Sequence, residues 1–206
     1  MKIQMDDQIL RFVYIEAMRD ATLQKAYNNK DKQWLKTNEI YKKVEKDIKK
    51  LVCNVINGDF KEQSEYDKSF YKVIKNINEK INDERGDNRK FSFGNTQKLL
   101  NIILKHFYIC SYNNAEVKSG FKFCHCPMDR QMMEELWKHR KDLNINKTKD
   151  EFVISWGALD YDNNYNIPEE YTEFQSAIRK MIEEDKRVDN NISPIEYDYY
   201  IWSQMK

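Results

Sequence analysis

Five glycines and three prolines in 206 residues leave this chain short of turn-making residues. Glycine supplies positive-φ backbone and proline interrupts helices, so scarcity of both favours a few long periodic segments. A dominant charge is also missing. The 35 Lys/Arg and 34 Asp/Glu balance to +1, which excludes a uniformly basic nucleic-acid coat. No stretch approaches the ~18 consecutive apolar residues that span a bilayer, so no membrane partner is expected. The opening MKIQMDDQILRF carries two aspartates ahead of its apolar run and does not read as a secretory leader. The four cysteines, Cys53, Cys110, Cys124 and Cys126, therefore read as reduced thiols in a cytoplasmic protein.

Hydrophobic residues make up 40% of the chain and charged residues 33%, enough for a core covered by two-faced helices. The fold class expected is all-α, a single domain over residues 1–206 with about seven helices. The same reading allows two lobes with a cleft, residues 30–112 forming one and residues 1–29 with 113–206 the other. Ile9, Phe12, Val13 and Ala17 mark a first helix over residues 6–27, ended by Asn28-Asn29-Lys30-Asp31. Ile40, Val44, Ile48, Leu51 and Val55 repeat at helical spacing, and Asn57-Gly58 stops the run. Tyr66, Phe70, Val73, Ile77 and Ile81 form a third stripe, followed by a polar loop from Asn82 to Lys90. A fourth helix, apolar nearly all round and so central, is expected from just after Gly94 to about Tyr112. A fifth begins near Pro127 with Met132, Met133, Leu136 and Trp137. Pro168 opens a sixth with Tyr171, Phe174, Ile178 and Ile182, and Ser193-Pro194 a last one with Tyr199 and Trp202.

Lys98 stands out, because it is followed by the apolar run Leu99 to Leu104 and preceded by Phe93-Gly94-Asn95-Thr96-Gln97. A glycine turn feeding a helix leaves backbone N–H groups that can hold a phosphate, although the same residues can simply turn and cap. Burial favours the neutral form of a lysine, and a neutral amine is a nucleophile. The alternative is a lysine whose stem packs while its ammonium reaches water. Lys105 lies two helical turns on and shares the face. Asp129, in Pro127-Met128-Asp129, suits both a helix cap and a carboxylate aimed at a reacting centre. Cys124-His125-Cys126 lacks the second spaced pair of a structural zinc site, so no metal is assigned. Trp34, Phe93, Trp137, Trp156, Tyr161 and Trp202 are core or boundary aromatics of which one or two can stack on a planar ligand. Asp198 and Trp202 share a helix face. Between Arg89 and Lys141 ten basic residues face four acids, a net +6 that can meet a polyanion.

The Gly94 to Lys98 spacing resembles the hairpin of the helix-hairpin-helix DNA glycosylases, and Pro127-Met128-Asp129 resembles their Pro-x-Asp segment. The separation of 31 between Lys98 and Asp129 is closest to the divergent archaeal 8-oxoguanine branch. The likeness covers about residues 91–140. Thr96 replaces the second hairpin glycine, the leucine-proline-glycine lead-in is absent, and no four-cysteine iron–sulfur cluster follows. The resemblance implies a DNA glycosylase, acting as a monomer without a cofactor on duplex DNA bearing a damaged or modified base, and nucleoid-associated in a prokaryote. It implies Lys98 and Asp129 as catalytic residues, and Gly94, Asn95, Thr96 and Gln97 on the DNA backbone. Lys105, Trp156, Asp198 and Trp202 would form the base pocket. Two other classes stay open: a non-enzymatic helical module binding protein or nucleic acid, and a helical enzyme with a small-molecule pocket at Lys98, Lys105 and Asp129.

Overall fold

A computed structural model describes residues 6–22, 37–85, 90–111, 113–162 and 164–204, and the remarks below concern these residues. They are all-helical. The elements are α1 (Asp7–Ala21), α2 (Thr37–Ile56), α3 (Gln63–Arg85), α4 (Phe93–Cys110), α5 (Ala115–Ser119), α6 (Arg130–Lys138), α7 (Lys149–Phe152), α8 (Glu169–Glu184) and α9 (Pro194–Gln204). Short 3-10 turns occupy Gly120–Phe123 and Trp156–Ala158. The seven expected helices are all present. α5 and α7 are short helical turns outside those seven. Trp34 and the Asn28–Asp31 cluster lie outside the described residues.

α4 is the central helix, as its apolar run dictates. Phe93, Leu99, Leu100, Ile103 and Leu104 are all fully or nearly fully buried. α1, α3, α9 and the 156–158 turn pack on it, and α2 pairs with α3. The α2 and α3 stripes face the core as the spacing requires, with Val44, Ile48, Leu51, Val55, Phe70, Ile77 and Ile81 buried. α1 is a correction. Its core face is Leu10, Val13, Tyr14, Ala17, Met18 and Ala21, while Ile9 and Phe12 are 51% and 63% exposed. Both sets have helical spacing. Packing against α4 selects the one that carries Tyr14 and Met18.

The start of α4 also differs from the expectation. Gly94, Asn95, Thr96 and Gln97 lie in the first turn and a half of the helix itself, which starts at Phe93. Ser92 is the N-cap. Its hydroxyl accepts from Asn95 N–H at 3.0 Å, and Asn95 Oδ1 accepts from Ser92 N–H at 3.1 Å. This reciprocal capping box fixes the helix one residue ahead of Gly94.

That first turn joins three elements. Asn95 Nδ2 donates to the Ala21 carbonyl at the end of α1 at 2.6 Å. Gly94 N–H donates to the Leu159 carbonyl at 2.8 Å, and the Ser92 hydroxyl donates to the Gly157 carbonyl at 2.8 Å. Gly94 is glycine because of a close approach: a Cβ there would sit 1.7 Å from the Trp156 carbonyl oxygen. The turn carrying Trp156 is thereby held against α4 one helical turn before Lys98.

Candidate functional site

The chain from Cys124 to Asp129 has no regular secondary structure, yet all six residues are buried. Buried irregular backbone must find partners for its N–H and C=O groups. Two glutamine side chains supply them. Gln175 of α8 accepts from Cys126 N–H at 3.0 Å and donates to the Cys126 carbonyl at 2.8 Å. Gln97 of α4 accepts from Met128 N–H at 3.2 Å and donates to the Met128 carbonyl at 3.0 Å. This strap delivers Asp129 to the start of α6.

Asp129 is the N-cap of α6, with Oδ1 accepting from Met132 N–H at 2.9 Å. Its other oxygen, Oδ2, lies 2.9 Å from Lys98 Nζ. Lys98 and Asp129 are 8% and 5% exposed, so the pair is largely withdrawn from water. The Trp156 ring sits beside the ammonium, centroid 5.1 Å from Nζ. Capping and pairing thus use different oxygens of one carboxylate.

A second set repeats the pattern two helical turns along α4. Lys105 Nζ is 2.6 Å from Asp198 Oδ2 and 5.4 Å from the Trp202 ring centroid. Asp198 is fully buried, and burial pushes its carboxyl up to about 6, against the opposing pull of Lys105. Trp202 remains 40% exposed.

Both lysines, both tryptophans and Asp129 line one cavity of about 410 Å³, with Ile102 between the lysines. That volume is in the range of small-molecule sites. Arg19 and Asp20 of α1 and Arg130 and Gln131 of α6 complete its wall. Asp198 stands behind Lys105.

The structure brings Lys98, Asp129, Lys105, Trp156, Asp198 and Trp202 together across four separate parts of the chain. It does not assemble the expected phosphate cradle. Gly94, Thr96 and Gln97 are buried, the N–H groups of Gly94, Asn95 and Thr96 are engaged by Leu159, Ser92 Oγ and the Ser92 carbonyl, and Gln97 holds the strap. Helix geometry is the reason: capping leaves none of these three amides for an anion. Arg19 and Asp20 were not legible as wall residues, since charged positions near a helix end normally read as solvated face. Gln97 carried no such signal either, since it sits between Thr96 and Lys98 ahead of the apolar run.

The cysteine–histidine cluster serves the core. His125 Nε2 is 2.9 Å from Asp67 Oδ1 and Nδ1 is 3.1 Å from the Tyr171 hydroxyl. Burial lowers the His125 pKa while Asp67 opposes the shift, and burial pushes the Cys124 and Cys126 thiols up, away from thiolate. Among the described residues no helix is long and apolar enough to cross a membrane. No family model matches the chain, and no curated protein or solved structure is significantly similar to it.

Proposed function

We propose that this chain is a lysine-dependent DNA glycosylase that excises a damaged or modified base. One observation carries the reading: a lysine amine 2.9 Å from a buried carboxylate in the wall of a tryptophan-lined cavity. Such a cavity suits a planar base flipped out of a duplex. Asp129 is close enough to Lys98 to take its proton. Nζ then attacks the sugar C1′. The bond from C1′ to the base nitrogen breaks, and the base leaves with the electron pair and gains a proton. Opening of the sugar ring gives a Schiff base on Lys98. Lys105, Trp156 and Trp202 would contact the base, with Asp198 holding Lys105. The engaged amides at residues 94–96 shift the expected grip on DNA to the cavity rim, where Arg19 and Arg130 stand.

The test is borohydride trapping on duplex DNA carrying an abasic site or 8-oxoguanine. The expected result is a covalent adduct that Lys98→Ala abolishes and that the exposed-site control Lys138→Ala retains. Asp129→Asn should slow its formation by ~10²–10⁴-fold, the usual worth of a positioned acid–base group. No adduct across several lesions, or one that survives Lys98→Ala, overturns the reading. A second reading, a non-enzymatic helical binding module, is favoured by Ile9 and Phe12, exposed on α1. It predicts binding without any adduct.

A further inference from the structure

Gln97 and Lys98 are adjacent on α4, and Met128 and Asp129 are adjacent on the buried strap. The contacts run in register: Gln97 holds Met128, and Lys98 meets Asp129. We propose that Gln97 is a positioning residue that sets the Asp129 carboxylate against the Lys98 amine by clamping the peptide groups of Met128. This inference rests on the reading of Lys98 and Asp129 as a reactive pair, but its geometric part stands apart from any activity.

The clamp suits that task. A primary amide that accepts from an N–H and donates to a C=O of one residue fixes that residue in two directions, as a strand neighbour would. Asp129 is the next residue, so its Cα cannot shift without breaking one of the two bonds. A displacement of about 1 Å at a reacting pair is enough to cost ~10²-fold in rate. The strap has no secondary structure of its own to resist such a shift.

The orientation of the Gln97 amide is itself determined. Its Oε1 accepts from Asn101 Nδ2 at 3.1 Å as well as from Met128 N–H. Asn101 Nδ2 also donates to the Tyr171 hydroxyl at 3.1 Å. Tyr171 can then donate to His125 Nδ1, and His125 Nε2–H to Asp67. The Met128 N–H and carbonyl fix which end of the Gln97 amide accepts, and a flipped amide would also face Asn101 Nδ2 with donor against donor. The chain runs from the half-exposed Asp67 to the residue before Asp129.

Two variants at Gln97 and one at Gln175 test this. Gln97→Met keeps length and apolar volume but makes neither bond. Gln97→Glu can restore both bonds when protonated, its O–H donating to the Met128 carbonyl, and loses that donor when ionised. One readout is hydrogen-exchange protection of the Met132 amide, which donates to Asp129 Oδ1 and so reports where that carboxylate sits. The other is the single-turnover rate of borohydride trapping on abasic-site duplex DNA, alongside the dissociation constant for that DNA.

In Gln97→Met, Met132 protection and trapping rate should each fall at least 10-fold, with DNA affinity within about 2-fold of wild type and Leu104 protection retained. Gln97→Glu should match wild type at pH 5 and approach Gln97→Met at pH 8, each compared with wild type at the same pH. Gln175→Met removes an equal clamp three residues before Asp129 and should leave Met132 protection within about 3-fold. Wild-type Met132 protection in Gln97→Met overturns the proposal, as does equal loss in Gln175→Met. If Gln97→Met does not fold, the pH dependence of Gln97→Glu decides in the same sense. If wild type forms no adduct yet Gln97→Met loses Met132 protection, the glycosylase reading fails and the positioning role stands.

Discussion

Gly94 shows how one residue serves a site it does not touch. Its missing Cβ admits the Trp156 carbonyl, and its N–H ties down Leu159. Those contacts seat the Trp156 ring beside Lys98. Gly94→Ala introduces a methyl 1.7 Å from backbone oxygen, which no side-chain rotation relieves. It should destabilise the fold by roughly 3 kcal/mol or more, read by urea denaturation, and should shift Trp156 fluorescence as the turn moves away. A glycine in this place reads from sequence as a turn, because close backbone approach leaves no local mark. Lys98 itself was legible as a lysine in an apolar run. Its partner was legible as a cap or as a carboxylate for chemistry, and local sequence could not choose, since Asp129 has an adequate local reason to be there.

At the scale of elements, caps and buried amides place the site more than helix propensity does. Ser92 caps α4, Asp129 caps α6, and Asn95 reaches back to the end of α1. Ser92→Ala removes the cap on α4 and its bond to the Gly157 carbonyl together. The expected cost is about 1–2 kcal/mol, measured as a lower denaturation midpoint. Loss should be larger than for an exposed cap such as Asp6 of α1, whose bonds from Gln8 and Ile9 N–H stand in water. The α2 and α3 stripes were read correctly because five apolar residues at helical spacing leave one solution. On α1 only half the stripe was read correctly: Val13 and Ala17 are core, while Leu10, Tyr14 and Met18 take the places expected of Ile9 and Phe12 once α4 packs on the helix.

For the whole molecule, two buried carboxyls give opposite pH dependences. Arg187 hydrogen-bonds Asp185 and, with Tyr197, holds its pKa down to about 2 from 3.8. A depressed pKa contributes stability that is present above about pH 4 and lost as pH falls through about 2. Asp198 works in reverse. Burial raises it from 3.8 to about 6, so the unfolded chain ionises this group first, and stability falls as pH rises between about 4 and 6. Comparing wild type with Asp198→Asn by denaturation from pH 4 to pH 7 should show the variant gaining relative stability across that window. The gain is on the order of 3 kcal/mol, and the difference should level off above pH 6. Arg187→Ala should remove the stability that Asp185 contributes above about pH 4, flatten its loss between about pH 4 and 2, and leave the Asp198 window unchanged.

The sequence by itself determined an all-helical chain with α4 at its centre, because helical periodicity, apolar runs and cap chemistry act over a few neighbouring residues. It also determined that Lys98 and Lys105 share one face, since seven residues are two helical turns. Only the tertiary structure decided that Lys98 meets Asp129, that Gln97 holds Met128 rather than DNA, and that Trp156 and Trp202 stand beside the two lysines. Those contacts join residues 31 or more positions apart, or, for Trp202 and Lys105, 97 apart. Nothing in local spacing encodes which buried donor will find which acceptor. That pairing follows from burial itself, where each polar group withdrawn from water must be met by another.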